Sequence, residues 1–488
     1  MIFGDNLELN EWCARYEDIR AKLMEQYYNH RAGLPYDKKL MDKLSKELAN
    51  LCRIFLDEFR EPRRMFLECI YQVARDERLE IELEFEEKRM EIIKSNKFTL
   101  NGMPVNWGSW RKFNARVDDP VKRKELFDEF IRKASELASL VEKRMEISRE
   151  VYARYGLTPL DAYLELEQLS YDELYNLVEK LGSGAKETFL KAADHYAPEV
   201  LGKDKYEYYD DYYTWRGRIY RPLNKYFEGL NPIDKVIELL KCLEVDPSKI
   251  SVDDEDRPKK SPSAFCFWIK VPDDVRVVYR KVAPFTDFGS VFHEFGHGLH
   301  GVSANPMDPV WKRYVIPMSV AETFSFLTEY LLEDEIYLKE ELKLPDDAIR
   351  EIIDRRRFMH LTFLTFYATN SLMKIEFWKY HYDAIKAAER WQELSKKFFI
   401  EVPGNYWLLH HIMPSYDLYS PSYMIAAVRV AVIKRRLREE FGEKWWRNSE
   451  AAKLIKKLAE ARGEFNVKEW PLKPEVYLEE VCNLSFLK

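Results

Sequence analysis

The stretch FHEFGHGLHG, residues 292–301, contains the residue types of a metal-assisted hydrolytic site. His293 and His297 are four residues apart, so on a helix they lie about 40° apart on one face. Two imidazoles placed in this way can reach one metal ion at about 2.0–2.1 Å. Glu294 is rotated by about 100° from His293, within reach of a water whose pKa the metal lowers toward about 7. A carboxylate there can take the water proton and pass it to a leaving amine, as amide hydrolysis requires.

A catalytic zinc site has three protein ligands and an open position, so we expect a third ligand outside this helix. The segment 317–335 has an apolar helical pattern and contains Glu322, 25 residues after His297. Because Glu322 lies among apolar neighbours, its carboxylate should be paired with another group. We predict one Zn²⁺ per chain, bound by His293, His297 and Glu322, although such ligands also accept cobalt or manganese.

Two further polar residues and two glycines belong to the same region. Glu329, seven residues after the predicted third ligand, should either hold a ligand imidazole or be exposed. His300, almost one turn after His297, is expected to support a ligand rather than to be a fourth one. Gly296 and Gly298 each cost a helix interior roughly 0.5–1 kcal/mol, so a neighbouring element should approach the backbone closely there.

A second group of polar aromatic residues lies later in the chain. Stabilising the oxyanion of amide hydrolysis needs hydrogen-bond donors, and zinc alone seldom suffices. The segment 408–432 brings together His410, His411, Tyr416, Tyr419 and Tyr423 around two prolines. Taken alone, this pattern suits a role in the site and an ordinary tyrosine-rich loop equally well.

The elements that must position these residues are mostly helical. Apolar residues at helical spacing predict helices over residues 37–59, 64–94, 120–155 and 171–197. Asn-Gly, Pro and Gly predict a turn or small hairpin at 98–110. Aromatic and β-branched residues predict two strands, 264–270 and 274–280, directly before the histidine helix, and 252–263 is interpreted as a surface loop. The fold class predicted is mainly α, with a small β-sheet beside the zinc-binding helix.

The composition limits the class of protein. Of the 488 residues, 46% are hydrophobic and 33% charged, typical of a soluble protein with a large core. A net charge of −7 gives no basic surface for nucleic acid. The sequence has neither an apolar run of roughly 18 residues nor the pattern of a secretory signal. We therefore expect a cytoplasmic protein that is bound to no membrane. The six scattered cysteines form no CxxC pair, so we expect their thiols to be reduced.

Several of these residues together resemble one family, the thimet oligopeptidase and oligoendopeptidase F group of zinc peptidases. The family core Phe-His-Glu-x-Gly-His-x-x-His is matched by residues 292–300. The third ligand of the family, 25 residues after the second histidine, and a glutamate seven residues further on are matched by Glu322 and Glu329. A later histidine followed at +5 and +12 by tyrosines is matched by His411, Tyr416 and Tyr423, while Ser420 stands where some members have a further tyrosine.

The resemblance implies a two-lobed helical body with a deep substrate channel and zinc at its floor. It divides the chain into an N-terminal helical lobe over residues 1–205, which covers the channel, and a catalytic lobe over residues 206–488. The strand 264–270 is similar to an edge strand that pairs with the substrate backbone. Such an enzyme hydrolyses internal bonds of short peptides.

The resemblance also implies roles for individual side chains. Glu294 acts as general base and then as general acid. Tyr423 with His411 stabilises the oxyanion, and Tyr416 orients the substrate. Cleavage-site preference and oligomeric state do not follow from it.

Two alternatives remain. A carboxypeptidase of the thermostable Taq type resembles this architecture and needs a cation, preferably a bidentate Arg, for the C-terminal carboxylate of its substrate. Arg276 and Arg429 are candidates by their proximity in the sequence. A non-catalytic helical scaffold would bind no stoichiometric metal, and no activity would depend on Glu294.

Overall fold

Apolar residues at helical spacing account for most of the architecture. In the helix Lys38–Glu58, Leu44, Leu48 and Leu51 lie on one buried face. The helix begins after Asp37, whose side chain accepts a hydrogen bond from the backbone of Leu40. The computed structural model describes residues 7–95, 99–100, 103–104, 116–214, 218–410 and 417–487.

Among the described residues of the first half, the regular elements are helices and one antiparallel pair of short strands. Its elements are α1 (Leu7–Ala32), α2 (Lys38–Glu58), α3 (Arg63–Glu77), α4 (Leu79–Ser95), β1 (Thr99–Leu100), β2 (Met103–Pro104), α5 (Pro120–Ala134), α6 (Ala138–Ala153), α7 (Pro159–Glu167), α8 (Tyr171–Leu201), α9 (Asp211–Tyr213), α10 (Asn224–Phe227) and α11 (Pro232–Cys242). The strands β1 and β2 pair antiparallel within the stretch predicted as a turn or hairpin.

The second half opens with three strands, and the regular elements that the structure describes after them are helices. Its elements are β3 (Ile250–Asp253), β4 (Phe265–Lys270), β5 (Asp274–Val278), α12 (Pro284–Val302), α13 (Val310–Tyr314), α14 (Met318–Glu329), α15 (Glu335–Glu340), α16 (Asp346–Tyr380), α17 (Ala384–Phe398), α18 (Tyr406–His410), α19 (Ser420–Phe441), α20 (Ser449–Ala461) and α21 (Pro474–Val481). The fold is therefore mainly α, as predicted.

Two stretches with a continuous helical pattern in the sequence are each divided into two helices. Residues 64–94 form α3 and α4, and residues 120–155 form α5 and α6 with a 3-10 turn between them. Arg78 lies at the first division, is 1% exposed, and donates hydrogen bonds to the Ser148 hydroxyl and the Asp417 carboxylate. The partners of Arg78 are far along the chain, so the local spacing of apolar residues could not predict this division.

The three-stranded sheet has the order β3-β5-β4. β4 pairs antiparallel with β5, with Phe267 opposite Arg276, and the register shifts between Trp268 and Lys270. β3 pairs parallel with β5 and was not predicted as a strand. Both β4 and β5 pack against α12, which confirms the small sheet beside the histidine helix, and β4 lies at an edge of that sheet.

The chain divides into two compact units, each assembled from three segments. The first comprises Met1–Asp76, Leu223–Ile353 and Ile425–Tyr477, and the second comprises Glu77–Pro222, Asp354–Met424 and Leu478–Lys488. The predicted boundary at residues 205 and 206 falls inside a segment of the second unit. Within the described ranges, we find no helix whose length and apolar content would suffice to cross a bilayer.

Candidate metal centre

The helix α12 has one apolar face and one face that carries the histidines. Phe288, Phe292 and Phe295 are at most 1% exposed and anchor the helix in the core of the first unit. The side chains of His293 and His297 are 22% and 17% exposed, on the face that the core does not cover. The helical spacing of the motif therefore presents both imidazoles in the same direction, as predicted.

The helix α14 packs directly against α12 at Gly296. A Cβ atom on Gly296 would collide with the carbonyl oxygen of Phe324 and with the hydroxyl of Thr328. That hydroxyl lies 2.7 Å from the carbonyl oxygen of Phe292, to which it donates. At Gly298 a Cβ would instead meet the end of the Ile250 side chain at 2.8 Å. The close approach that was predicted for these glycines is therefore present at both.

This packing brings Glu322 to the two histidines. Its Oε2 atom lies 3.5 Å from Nε2 of His293 and 3.5 Å from Nε2 of His297. One ligand atom from each of the three residues lies within 4.8 Å of the others. Glu322 is 3% exposed, and the hydroxyl of Ser325 donates to its Oε2 atom over 2.9 Å. The carboxylate is thus buried and paired, as its apolar neighbours predicted.

The donor set suits a zinc ion. Two ligand atoms that are each about 2.1 Å from a tetrahedral ion lie roughly 3.4 Å apart. The separations of 3.5 Å between Glu322 and each imidazole are close to that value. Two nitrogens and one oxygen are a common ligand set of catalytic zinc, and three ligands leave a fourth position open.

Glu329 supports the imidazole of His293 from the opposite side. Its Oε2 atom lies 3.0 Å from Nδ1 of His293, whose Nε2 faces Glu322. Burial alone would lower the pKa of His293, but the hydrogen bond to Glu329 and the charge of Glu322 raise it to about 9. Glu329 therefore belongs to the site, the first of the two possibilities that the sequence left open.

Glu294 follows the first histidine and lies beside the edge strand. The backbone N–H of Cys266 in β4 faces its carboxylate and favours the charged form, which lowers the pKa slightly. Burial raises the pKa of Glu294 above its ordinary value, although the charges of His293 and His297 oppose that change. A raised pKa brings a carboxyl group closer to the working pH of a general base.

His300 is buried behind the site. Its ring packs at 4.4 Å from the ring of Phe324 and at 5.2 Å from that of Trp268. Neither ring nitrogen has a hydrogen-bond partner among the described residues, and burial lowers the pKa of His300 well below its usual range. His300 is not one of the three residues whose ligand atoms converge.

The predicted oxyanion donors belong to a different part of the chain. Tyr423 lies near the start of α19, in a segment of the second unit, with its ring 5.6 Å from Tyr367 and 4.8 Å from Tyr419. His411 and Tyr416 lie outside the described residues. The roles assigned to these three side chains remain predictions.

The two candidate arginines of a carboxypeptidase have partners in the first unit. Arg276 donates to the Asp274 carboxylate over 2.6 and 2.7 Å. Arg429 is 1% exposed and donates to the hydroxyls of Ser319 and Thr323 in α14. Arg429 therefore holds the helix that carries the carboxylate of the site.

The sequence prediction missed two contacts of the site. The contact between Ser325 and Glu322 could have been predicted, because a hydroxyl three residues further along a helix can reach a carboxylate. The backbone contact from Cys266 to Glu294 could not be predicted in this way, because it depends on how the sheet meets the helix.

Comparison with known proteins gives matches of structure alone. No protein-family model and no curated protein matches the chain. A carboxypeptidase from Pyrococcus furiosus has a TM-score of 0.60 at 16% identity, over 98% of this chain and 98% of that one. PZ peptidase A has a TM-score of 0.55 at 15% identity, over 94% and 83%. A protein assigned as oligoendopeptidase F from Bacillus anthracis has a TM-score of 0.53 at 13% identity, over 94% and 81%. The chain therefore shares the helical fold of these peptidases.

Proposed function

We propose that the chain is a zinc-dependent oligopeptidase that hydrolyses internal peptide bonds of short peptides. The observation that carries this proposal is the convergence of His293, His297 and Glu322, with ligand atoms within 4.8 Å of one another. Glu294 lies beside this group, on the helix that carries the two histidines, and a structural metal site would have no use for such a base. The shared fold with PZ peptidase A and an oligoendopeptidase F supports the same reading.

The chemistry divides between the metal and the protein. Zinc bound there would polarise the scissile carbonyl and lower the pKa of an attacking water. Glu294 accepts the proton of that water on its carboxylate and then delivers it to the leaving amine nitrogen. Glu329 keeps the proton of His293 on Nδ1, so that Nε2 is free to bind the metal.

Substrate binding is proposed for the outer edge of β4, the side that does not pair with β5. An extended peptide can add to an edge strand through main-chain hydrogen bonds, which gives binding with little dependence on sequence. Tyr423 with His411 then donates hydrogen bonds to the oxyanion, and Tyr416 orients the substrate. These three roles are supported by the family resemblance of their spacing.

A carboxypeptidase is the second candidate. The Pyrococcus furiosus carboxypeptidase matches this fold over 98% of both chains. The two chains are therefore similar in length, which favours the carboxypeptidase as a candidate. Such an enzyme needs a cation for the free C-terminal carboxylate. Arg429 already donates a hydrogen bond to a side chain of α14. Arg276 is therefore the better candidate to bind that carboxylate, although Asp274 already pairs with it.

One experiment separates these candidates. A ten-residue peptide is prepared with a free and with an amidated C-terminus, and the cuts made by zinc-loaded wild type and by Glu294→Gln are mapped by mass spectrometry. An oligopeptidase cuts both peptides internally, and Glu294→Gln retains zinc while losing the activity. Stepwise removal of C-terminal residues from the free peptide alone indicates a carboxypeptidase. A zinc-loaded wild type that cuts neither peptide supports the non-catalytic scaffold.

A further inference from the structure

The edge strand β4 contacts the main chain of a proposed metal ligand. The indole N–H of Trp268 donates to the carbonyl oxygen of His297 over 2.9 Å. The ring occupies space that Gly301 leaves open, because a Cβ on Gly301 would lie 2.7 Å from the indole nitrogen. The last turns of α12 therefore pack directly against the Trp268 indole.

Arg462 fixes Trp268 and α12 together. Its guanidinium is buried and lies 4.5 Å from the centre of the Trp268 ring, a favourable cation–π geometry. One terminal nitrogen donates to the carbonyl oxygen of His300. Nε and the other terminal nitrogen donate to the carbonyl oxygen of Arg313 over 2.9 and 2.7 Å. Trp268, α12 and α13 thus meet at one side chain.

Two features of Arg462 are unfavourable by themselves. Its charge is 0% exposed, and its hydrogen bonds go to carbonyl oxygens rather than to a carboxylate. Its backbone has φ 46° and ψ −118°, on the left-handed side that residues other than glycine rarely adopt. Backbone outliers of this kind persist where surrounding structure holds them, and they concentrate at functional sites.

The main chain of Trp268 is fixed as well. Arg20 in α1 donates to its carbonyl oxygen over 2.9 Å. The guanidinium of Arg20 stacks 4.1 Å from the centre of the Tyr314 ring, and the hydroxyl of Tyr314 accepts from the backbone of Val271. Trp268 is therefore held through both its backbone and its indole ring, which gives it little freedom to move relative to α12.

We propose that Trp268 and Arg462 are positioning residues for the metal centre. By holding the carbonyls of His297 and His300, they fix the C-terminal half of α12 and therefore the direction of the His297 imidazole relative to Glu322. The same contacts join the metal site to the edge strand proposed to bind substrate. The inference rests on the proposed zinc binding but not on peptide cleavage.

Two tryptophans of the first unit allow a matched test. Trp12 also donates its indole N–H to a backbone carbonyl, that of Leu51, over 2.8 Å, and is 5% exposed. Trp268→Phe and Trp12→Phe each remove one indole hydrogen bond and keep an aromatic ring. The zinc dissociation constant of each apo protein is measured by competition with a chromophoric chelator, and unfolding by urea is measured alongside.

We expect both variants to lose some stability, because each loses one hydrogen bond from an indole N–H to a backbone carbonyl. Only Trp268→Phe should also raise the zinc dissociation constant, by about tenfold or more, as partners that orient metal ligands do. Its kcat should fall in parallel while KM stays within about twofold of wild type. Arg462→Lys, which keeps the charge but not the three-way hydrogen bonding, should weaken zinc binding in the same direction.

Equal zinc affinities in Trp268→Phe and Trp12→Phe would overturn the inference, since Trp268 would then only stabilise the fold. The same holds if Trp268→Phe and Arg462→Lys both bind zinc as tightly as wild type. A wild type that binds zinc but cleaves no peptide would overturn the proposed function. In that case the zinc constants of the two tryptophan variants would still decide the positioning role.

Discussion

The Nδ1 atom of His293 in α12 lies 3.0 Å from the Oε2 atom of Glu329 at the end of α14. A carboxylate at this distance favours the tautomer of the neutral imidazole that has its proton on Nδ1, so Nε2, which faces Glu322, is the nitrogen available to a metal. The tautomer that a metal requires is therefore set by a residue that need not bind the metal itself.

The first prediction concerns this pair. Glu329→Gln keeps a hydrogen-bond acceptor but removes the charge, so the zinc dissociation constant should rise by about tenfold. Glu335→Gln, at an exposed position at the start of α15, removes an equal charge and serves as the control. Chelator competition measures both constants. Unchanged zinc affinity in Glu329→Gln would mean that the pair does not orient His293.

The second prediction uses the two glycines of α12. Gly296→Ala would push a methyl group against backbone atoms of α14, so we expect a loss of about 1–3 kcal/mol in the free energy of unfolding, together with weaker zinc binding. Gly298→Ala meets only the end of the Ile250 side chain, which can move, and alanine favours the helix by about 1 kcal/mol. Gly298→Ala should therefore change the free energy of unfolding very little. Urea unfolding of both variants tests this, and equal effects would contradict the account of the close approach.

The third prediction concerns Tyr423. If its hydroxyl donates to the oxyanion, Tyr423→Phe should lower kcat by about 10²–10³-fold, because an oxyanion donor acts in the transition state. Phenylalanine keeps the aromatic ring that packs against Tyr367 and Tyr419, so those ring contacts are retained in the variant. Steady-state kinetics at saturating zinc measure the effect. A fall in kcat of less than about threefold would remove Tyr423 from the mechanism.

The fourth prediction concerns the pH dependence of stability. Burial lowers the pKa of Lys374 from 10.5 to about 8, helped by the charge of Arg144 and opposed by that of Asp417. Between these two pKa values the unfolded chain binds more protons at this site than the folded one, so stability rises with pH. The contribution of Lys374 should rise by roughly 3 kcal/mol across this window, from the shift in its pKa.

Lys374→Met removes that contribution and leaves the other titrating groups in place. The free energy of unfolding is measured in urea at several pH values for both proteins. The difference, wild type minus variant, should increase from pH 8 toward pH 10.5. A difference that does not depend on pH would mean that Lys374 keeps its ordinary pKa in the folded protein.

Much of the site could be predicted from the sequence because its chemistry is local. His293, Glu294 and His297 lie within two helical turns, and the energetic cost of Gly296 in a helix indicated the close approach of a second element. Glu322 could be predicted because a carboxylate in an apolar helix must be paired. These inferences need only helix geometry and the cost of burial.

Other features depend on contacts between distant segments. β3 has only four residues, with serine and aspartate among them, so its apolar content did not distinguish it from a loop. The division between α3 and α4 carries neither proline nor glycine, and Arg78 at that point is held by residues far along the chain. Nothing near Trp268 or Arg462 in the sequence indicates that they meet beside α12.

The most direct test of the central claim is a zinc titration of the apo protein, with cleavage of a C-terminally amidated peptide followed at each addition. We predict that activity rises linearly and stops rising at one zinc per chain, and that Glu294→Gln binds the same single zinc without cleaving the peptide. Cleavage by the metal-free protein, or full activity of Glu294→Gln, would contradict the account.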